Sequence, residues 1–298
     1  MALLTAQGIS QVAIALLRRS IVLPRTVTPI PGSEFSGSNG DTITVRVPQP
    51  GAAREQTTPS TEITYDDIDE IPVEVTLAHL YHAKLISDEE ANLELEDFAR
   101  QILRVQVDAV AREAEDELAD VMNALDVDAT IEFANVADPD DTLATILAAR
   151  EALGENDAPP DDRWAAVSPQ IATRILSIPN LTRVSEAGSS DALRDATIGR
   201  IFGFTFVESN ALEDDTALFY HRSGFCFANR VPVAPRSNTA QSAAASEGGI
   251  GMRSILQYET RYLSEASVLS TFAGAAAVYE GESSPPTPVR FVKVGVAT

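Results

Sequence analysis

The 298-residue sequence predicts an α+β fold, and three observations carry that prediction. Residues 88–125 hold helical periodicity with no proline or glycine to break it. Alternating, strand-like runs occur on both sides of that stretch and dominate the last fifty residues. Shorter helical segments are embedded among strands in residues 129–235, the pattern of an α+β domain.

The elements follow in chain order. Residues 5–19 place Ile9, Val12, Ala13, Leu16 and Leu17 on one helical face. Pro24, Pro29 and Pro31 then predict an extended arm. Residues 42–47 alternate as a strand, residues 48–61 read as a mobile tip, and residues 71–78 read as the returning strand. This long hairpin has little core of its own and needs a surface to lie on. From Ser87 the acids Asp88, Glu89 and Glu90 mark a helix N-terminus. Leu103, Val107, Val110, Ala114, Leu118, Val121 and Leu125 supply its apolar stripe. A helix over 88–125 would be about 55 Å long, suited to lying across a sheet as a spine.

Beyond it, residues 142–153 and 169–177 read as helices, the second capped by Ser168 with proline in its first turn. Residues 164–167, 198–207, 217–221 and 225–231 read as strands, and residues 237–251 as a small-residue loop. Long strand-like runs at 253–263 and 267–278 and a last strand near 289–296 complete the chain.

Forty-four acids against 22 bases give a net charge of −22, which argues against a nonspecific DNA-binding groove and against docking on anionic lipid. The charge is uneven: residues 62–128 carry 20 acids and four bases, whereas residues 1–61 carry five arginines and three acids. Such a split favours contacts between copies of the same chain. No segment approaches the roughly 20 apolar residues of a membrane span. The apolar patch at 12–17 is followed, not preceded, by Arg18 and Arg19, unlike a secretory signal. The expectation is a soluble protein without a leader.

Catalytic signatures are weak. His79 and His82 lack a third ligand nearby and read as solvated or partner-facing, while His221 reads as structural. Cys226, the single cysteine, lies among phenylalanines and reads as a buried thiol. Gly248 to Gly251 lack the lysine of a phosphate loop. The cluster Asp66, Asp67, Asp69 and Glu70 lacks the glycine turn of a calcium loop. It reads as a solvated acidic loop or as an arginine-binding patch for a neighbouring copy. No catalytic residue, cofactor or metal is expected.

Trp164-Ala-Ala-Val-Ser-Pro, followed by Gly199, Ile201, Gly203, Phe204, Ser209 and Asn210 in the run from Leu193 to Asn210, resembles the major capsid proteins of tailed bacteriophages. In that group a strand ending in Ser-Pro precedes a helix, and a Gly-x-Ile-x-Gly-Phe strand pair is followed by Ser-Asn. The order of arm, hairpin, long helix, mixed domain and long strands also resembles the Hong Kong 97 type capsid fold. The resemblance implies an N-terminal arm at 1–35 and an extended loop at 36–77. It implies a peripheral domain at 78–129 and 250–298 with a spine helix at about 88–125, and an axial domain at 130–249.

The implied function is a shell subunit that assembles with itself as hexamers and pentamers around phage double-stranded DNA, in the host cytoplasm. A separate scaffolding protein, a portal and, in shells that carry one, a cement protein are the implied partners, with no membrane. Because the chain begins at the arm, no fused scaffold is expected. Some members of the group cross-link through a lysine in the extended loop, but residues 1–83 contain none, and Lys84 and Lys293 are the only lysines. A shell held noncovalently or by cement is therefore expected. Arg18, Arg19, Arg25, Arg46 and Arg54 are expected to meet Asp66, Asp67, Asp69, Glu70 and the spine-helix acids across subunit boundaries. An encapsulin-type compartment shell and an acidic hydrolase stand as alternatives.

Overall fold

The computed structural model describes residues 22–30, 42–48, 53–57, 62–63, 65, 70–90, 102–134, 138–178, 199–235, 241–247, 250–279 and 289–296. Its strands form two six-stranded sheets and a separate two-stranded hairpin.

The first sheet is organised on a 14-residue strand, β13 (Ser264–Ala277). On one side β13 pairs antiparallel with β4 (Ala78–Ser87). On the other it pairs first with β12 (Ile250–Glu259) and then, further along, with β10 (Phe225–Arg230). β11 (Gln241–Glu247) flanks β12, and β1 (Thr28–Ile30) lies parallel to β10. Where β13 changes partner, the Asn229 amide donates to Thr271 Oγ1 at 2.9 Å and to the Phe272 carbonyl at 3.1 Å. The Gly251 N–H returns a bond to Asn229 Oδ1 at 2.7 Å, so the buried polar groups at the fork are satisfied.

The helix α1 (Arg104–Asn123) crosses this sheet. It buries Val107, Val110, Ala111, Ala114, Leu118, Ala119 and Met122, spaced three and four apart, against Leu80, Met252, Leu256, Leu269 and Ala273. Gln106 is fully buried on the same face; its amide donates to the Ser267 carbonyl at 2.9 Å, and its oxygen accepts from the Ser267 hydroxyl at 2.9 Å. Of the long helix expected over 88–125, the structure describes α1 and a first turn at 88–90; residues 91–101 lie outside the described residues. That first turn carries a reciprocal cap, Ser87 N–H to Glu90 Oε2 at 3.0 Å and Glu90 N–H to Ser87 Oγ at 3.2 Å.

The second sheet runs β5 (Glu132–Phe133), β14 (Phe291–Val296), β9 (Thr216–His221), β6 (Arg163–Val167), β8 (Phe204–Glu208) and β7 (Arg200–Ile201). Its alternation divides two cores. Leu218 and Tyr220 of β9 join the α1 core, while Ala217 and Phe219 face a second core with Ile146, Ala149, Leu153, Ile171 and Ile175. Those residues belong to α2 (Pro139–Glu155) and α3 (Pro169–Leu176). The sheet is thus covered by α1 on one face and by the two shorter helices on the other.

Several expectations change. The arm after residue 21 is not wholly extended: Leu23–Arg25 form a 3-10 turn, and Leu23 and Val27 are fully buried in the α1 core. Proline tolerates this turn because Pro24 sits in its first positions, where no N–H is needed. The chain from Ala78 to Ser87, read only to residue 78 as strand, pairs along its whole length with β13. The small-residue loop expected at 237–251 contains a seven-residue strand, because the β12 backbone supplies a ladder that the alanines and serines accept. The hairpin of β2 (Thr42–Pro48) and β3 (Glu70–Thr76) has a base packed on its own subunit. Val73 and Val75 are buried with Ile30, Leu77, Ala228 and Val278. Gly274 permits the crossing above β13: a Cβ there would lie 2.1 Å from the Thr76 carbonyl oxygen.

Candidate functional site

Of the charged residues singled out from sequence, the described ones are Arg25, Arg46, Arg54 and Glu70. Arg18, Arg19, Asp66, Asp67 and Asp69 lie outside the described residues. Arg46 and Glu70 do meet, at 3.2 Å, but across the two strands of one hairpin, where the register places Arg46 opposite Pro72 and Pro48 opposite Glu70. Glu70 is therefore already engaged within its own chain. Arg25 ends the 3-10 turn and is exposed, and Arg54 is exposed in the stretch 53–57.

The acidic charge collects on the solvent side of α1 and continues into a cleft of about 630 Å³. Asp108, Arg112, Glu115 and Asp116 of α1 form one wall, Glu208 to Ala211 form the other, and Val22 closes it. Within it, Glu115 Oε1 accepts the Leu23 N–H at 3.2 Å and the Ser209 hydroxyl at 3.4 Å. Burial nonetheless pushes the Glu115 carboxyl above its ordinary range, with the bonds from Leu23 and Ser209 opposing. Two residues further, Glu117 is also raised, by burial first and then by Asp120 and Glu113. The arm enters the subunit here, on a carboxylate that is itself held between three elements.

A second surface was missing from the sequence reading. On the face of the first sheet away from α1, register aligns Ala83 with Val268 and Leu85 with Ala266 on β13, and Val268 with Ile255 on β12. Tyr81 and Leu85 are exposed, and Ile255 and Val268 are half-buried. The signal was the alternation Tyr81, Ala83, Leu85, hidden because residues 79–87 were not read as strand.

The polar residues with chemical potential are structural. His79 stacks on Phe272 with ring centroids 4.5 Å apart. His221 Nδ1 accepts the Ser223 N–H at 3.2 Å. Burial pushes the Cys226 thiol up to about 11, away from thiolate chemistry. Among the described residues, no three His, Cys, Asp or Glu side chains are grouped to hold a metal, and no helix is long and apolar enough to cross a membrane. Lys293, one of the two lysines, is 4% exposed; its ammonium donates to the Asn123 and Leu125 carbonyls at 2.7 and 3.2 Å and to Glu213 at 2.9 Å.

Comparison with known proteins points one way. A family model described as phage capsid protein matches residues 83–262. The fold is similar to a solved structure from Mycobacterium phage Che8, at 19% identity and a TM-score of 0.63, covering 92% of this chain and 90% of that one. It is similar to the capsid of cyanophage P-SCSP1u, at 13% identity and a TM-score of 0.65, covering 93% and 88%. It is also similar to the capsid of an empty GTA particle, at 11% identity and a TM-score of 0.60, covering 94% and 90%. No curated protein matches.

Proposed function

From the premise that this chain belongs to the phage capsid protein family, and so is a structural subunit of the virion capsid, we propose that it builds an icosahedral shell of the Hong Kong 97 type. The observation that carries this reading is the family match across the long helix and the strands beside it, together with likeness to phage capsids over more than nine-tenths of the chain.

In this reading residues 1–35 are the arm, 36–77 the extended loop, 78–129 and 250–298 the peripheral domain, and 130–249 the axial domain. Strand pairing supports two refinements of those bounds. Residues 225–230 and 241–247 hydrogen-bond into the α1 sheet and belong with the peripheral part. Residues 291–296 return to the other sheet and belong with the axial part. The apolar face of exposed Tyr81 and Leu85 and half-buried Ile255 and Val268 receives the extended loop of an adjacent copy, which removes that area from water.

Copies assemble as hexamers and pentamers in the host cytoplasm, with a separate scaffold and a portal, around double-stranded DNA. Arg18, Arg19, Arg25 and Arg54 pair with acids of neighbouring copies; each exposed pair contributes only about 0–1 kcal/mol but recurs in every subunit. Residues 1–83 contain no lysine, so the extended loop offers no amine nucleophile and the shell is held noncovalently or by a cement protein.

Ultracentrifugation of the expressed chain tests the assembly. Uniform particles far heavier than the 31.9 kDa chain are expected, and material that stays at the chain's own mass at every concentration contradicts it.

A further inference from the structure

The hairpin of β7 and β8 turns through two residues, Phe202 and Gly203, with Ile201 paired to Phe204 and Arg200 to Thr205. Both turn residues have positive φ, 48° at Phe202 and 93° at Gly203, as a type I′ turn requires. Glycine suits its position. Phenylalanine does not: the first position of this turn favours Asn, Asp or Gly, and a bulky residue there is strained. Among the described residues, no buried core takes up the ring that this strain presents. Ile201 and Phe204 are buried in the second core, but Phe202 is 37% exposed and joins none of the buried clusters of the described residues. Strained backbone persists where the side chain it presents has a task.

The surroundings indicate the partner. Among the described residues β7 is the terminal strand of its sheet, so the tip stands at that sheet's edge. Residues 199–205 carry one arginine and no acid, in a chain where acids outnumber bases two to one. Arg200, two residues before Phe202, is exposed, its Nε donating to the Gly203 carbonyl at 3.4 Å. An apolar ring flanked by a guanidinium complements an acidic surface, and the acidic surface a shell subunit meets most often is another copy of itself.

We propose that the Phe202 tip is an assembly contact, its ring seated on a second copy of this chain, and that the left-handed backbone holds the ring outward for that purpose. This rests on the shell reading above. It adds a residue that acts in assembly and against the subunit's own stability.

Two substitutions separate these effects, because Phe202→Asn and Phe202→Gly both relieve the turn and remove the ring. In the unassembled full-length chain each variant is expected to melt about 2 °C higher than wild type. In the same preparations the fraction of chain sedimenting as shells is expected to fall about tenfold or more, as for a buried aromatic anchor. Phe202→Tyr keeps the ring and should assemble within about twofold of wild type. Shell yields for Phe202→Asn and Phe202→Gly equal to wild type overturn the contact while leaving the shell reading intact. Melting temperatures that fall in both variants overturn it too, since the ring would then be packed within its own subunit. A wild-type chain that forms no shells removes the reading beneath both.

Discussion

The Glu115 carboxylate accepts the backbone N–H of Leu23 at 3.2 Å, fastening the entry of the arm to the middle of the long helix. Burial raises the pKa of this group above the ordinary 4.5, so the folded chain holds a proton at a pH where the unfolded chain has released it. The cost of the buried charge is therefore present at neutral pH and fades as pH falls through the folded pKa. Wild type should gain stability relative to Glu115→Gln as pH is lowered from 7 toward 4.5, measured by urea unfolding. A difference between the two that stays constant over that range contradicts the assignment.

Gly274 sits where the hairpin crosses the central strand. In Gly274→Ala the new methyl meets the Thr76 carbonyl oxygen, a backbone atom that cannot rotate away. The expected loss is about 2–3 kcal/mol, from overpacking at a rigid contact. Chemical denaturation checks it, and a loss under about 0.5 kcal/mol would mean the hairpin base shifts freely.

Lys293 fills the C-terminal end of α1, donating to the carbonyls of Asn123 and Leu125 that no helical N–H reaches. Lys293→Met keeps the stem but leaves those carbonyls unsatisfied, for a loss of about 2–3 kcal/mol in thermal or urea unfolding. The same geometry predicts amine labelling: exposed Lys84 reacts in the native chain, and Lys293 only after unfolding. Rapid native labelling at Lys293, read by peptide mass spectrometry, contradicts it.

Because residues 1–83 hold no lysine and Lys293 is enclosed, particles heated in denaturing detergent should run as a single 31.9 kDa band. A ladder of covalent multimers would show a cross-link made by other chemistry.

What the sequence revealed followed from periodicity. The apolar stripe read as Leu103, Val107, Val110, Ala114, Leu118, Val121 and Leu125 is buried at every position except Val121, which is half-buried against the same core. The Ser87 helix signal is realised as a reciprocal cap with Glu90. β11 was illegible because Gln-Ser-Ala-Ala-Ala-Ser has no apolar alternation, and its strand state comes from pairing with β12. The burial of Leu23 was hidden by the prolines around it, since only the tertiary core shows why the arm turns inward. The arginine and acid counts located charge correctly but not its pairing. Register across the hairpin brings Arg46 to Glu70, and register is absent from a charge tally. Glu115 stood out in no motif, because its role comes from contacts with residues 92 and 94 positions away.

Negative-stain electron microscopy of the purified full-length chain tests the central claim most directly. Closed shells, or rings of five and six subunits, are the predicted result. A field of small, separate particles of single-chain size, unchanged at high concentration, would contradict it.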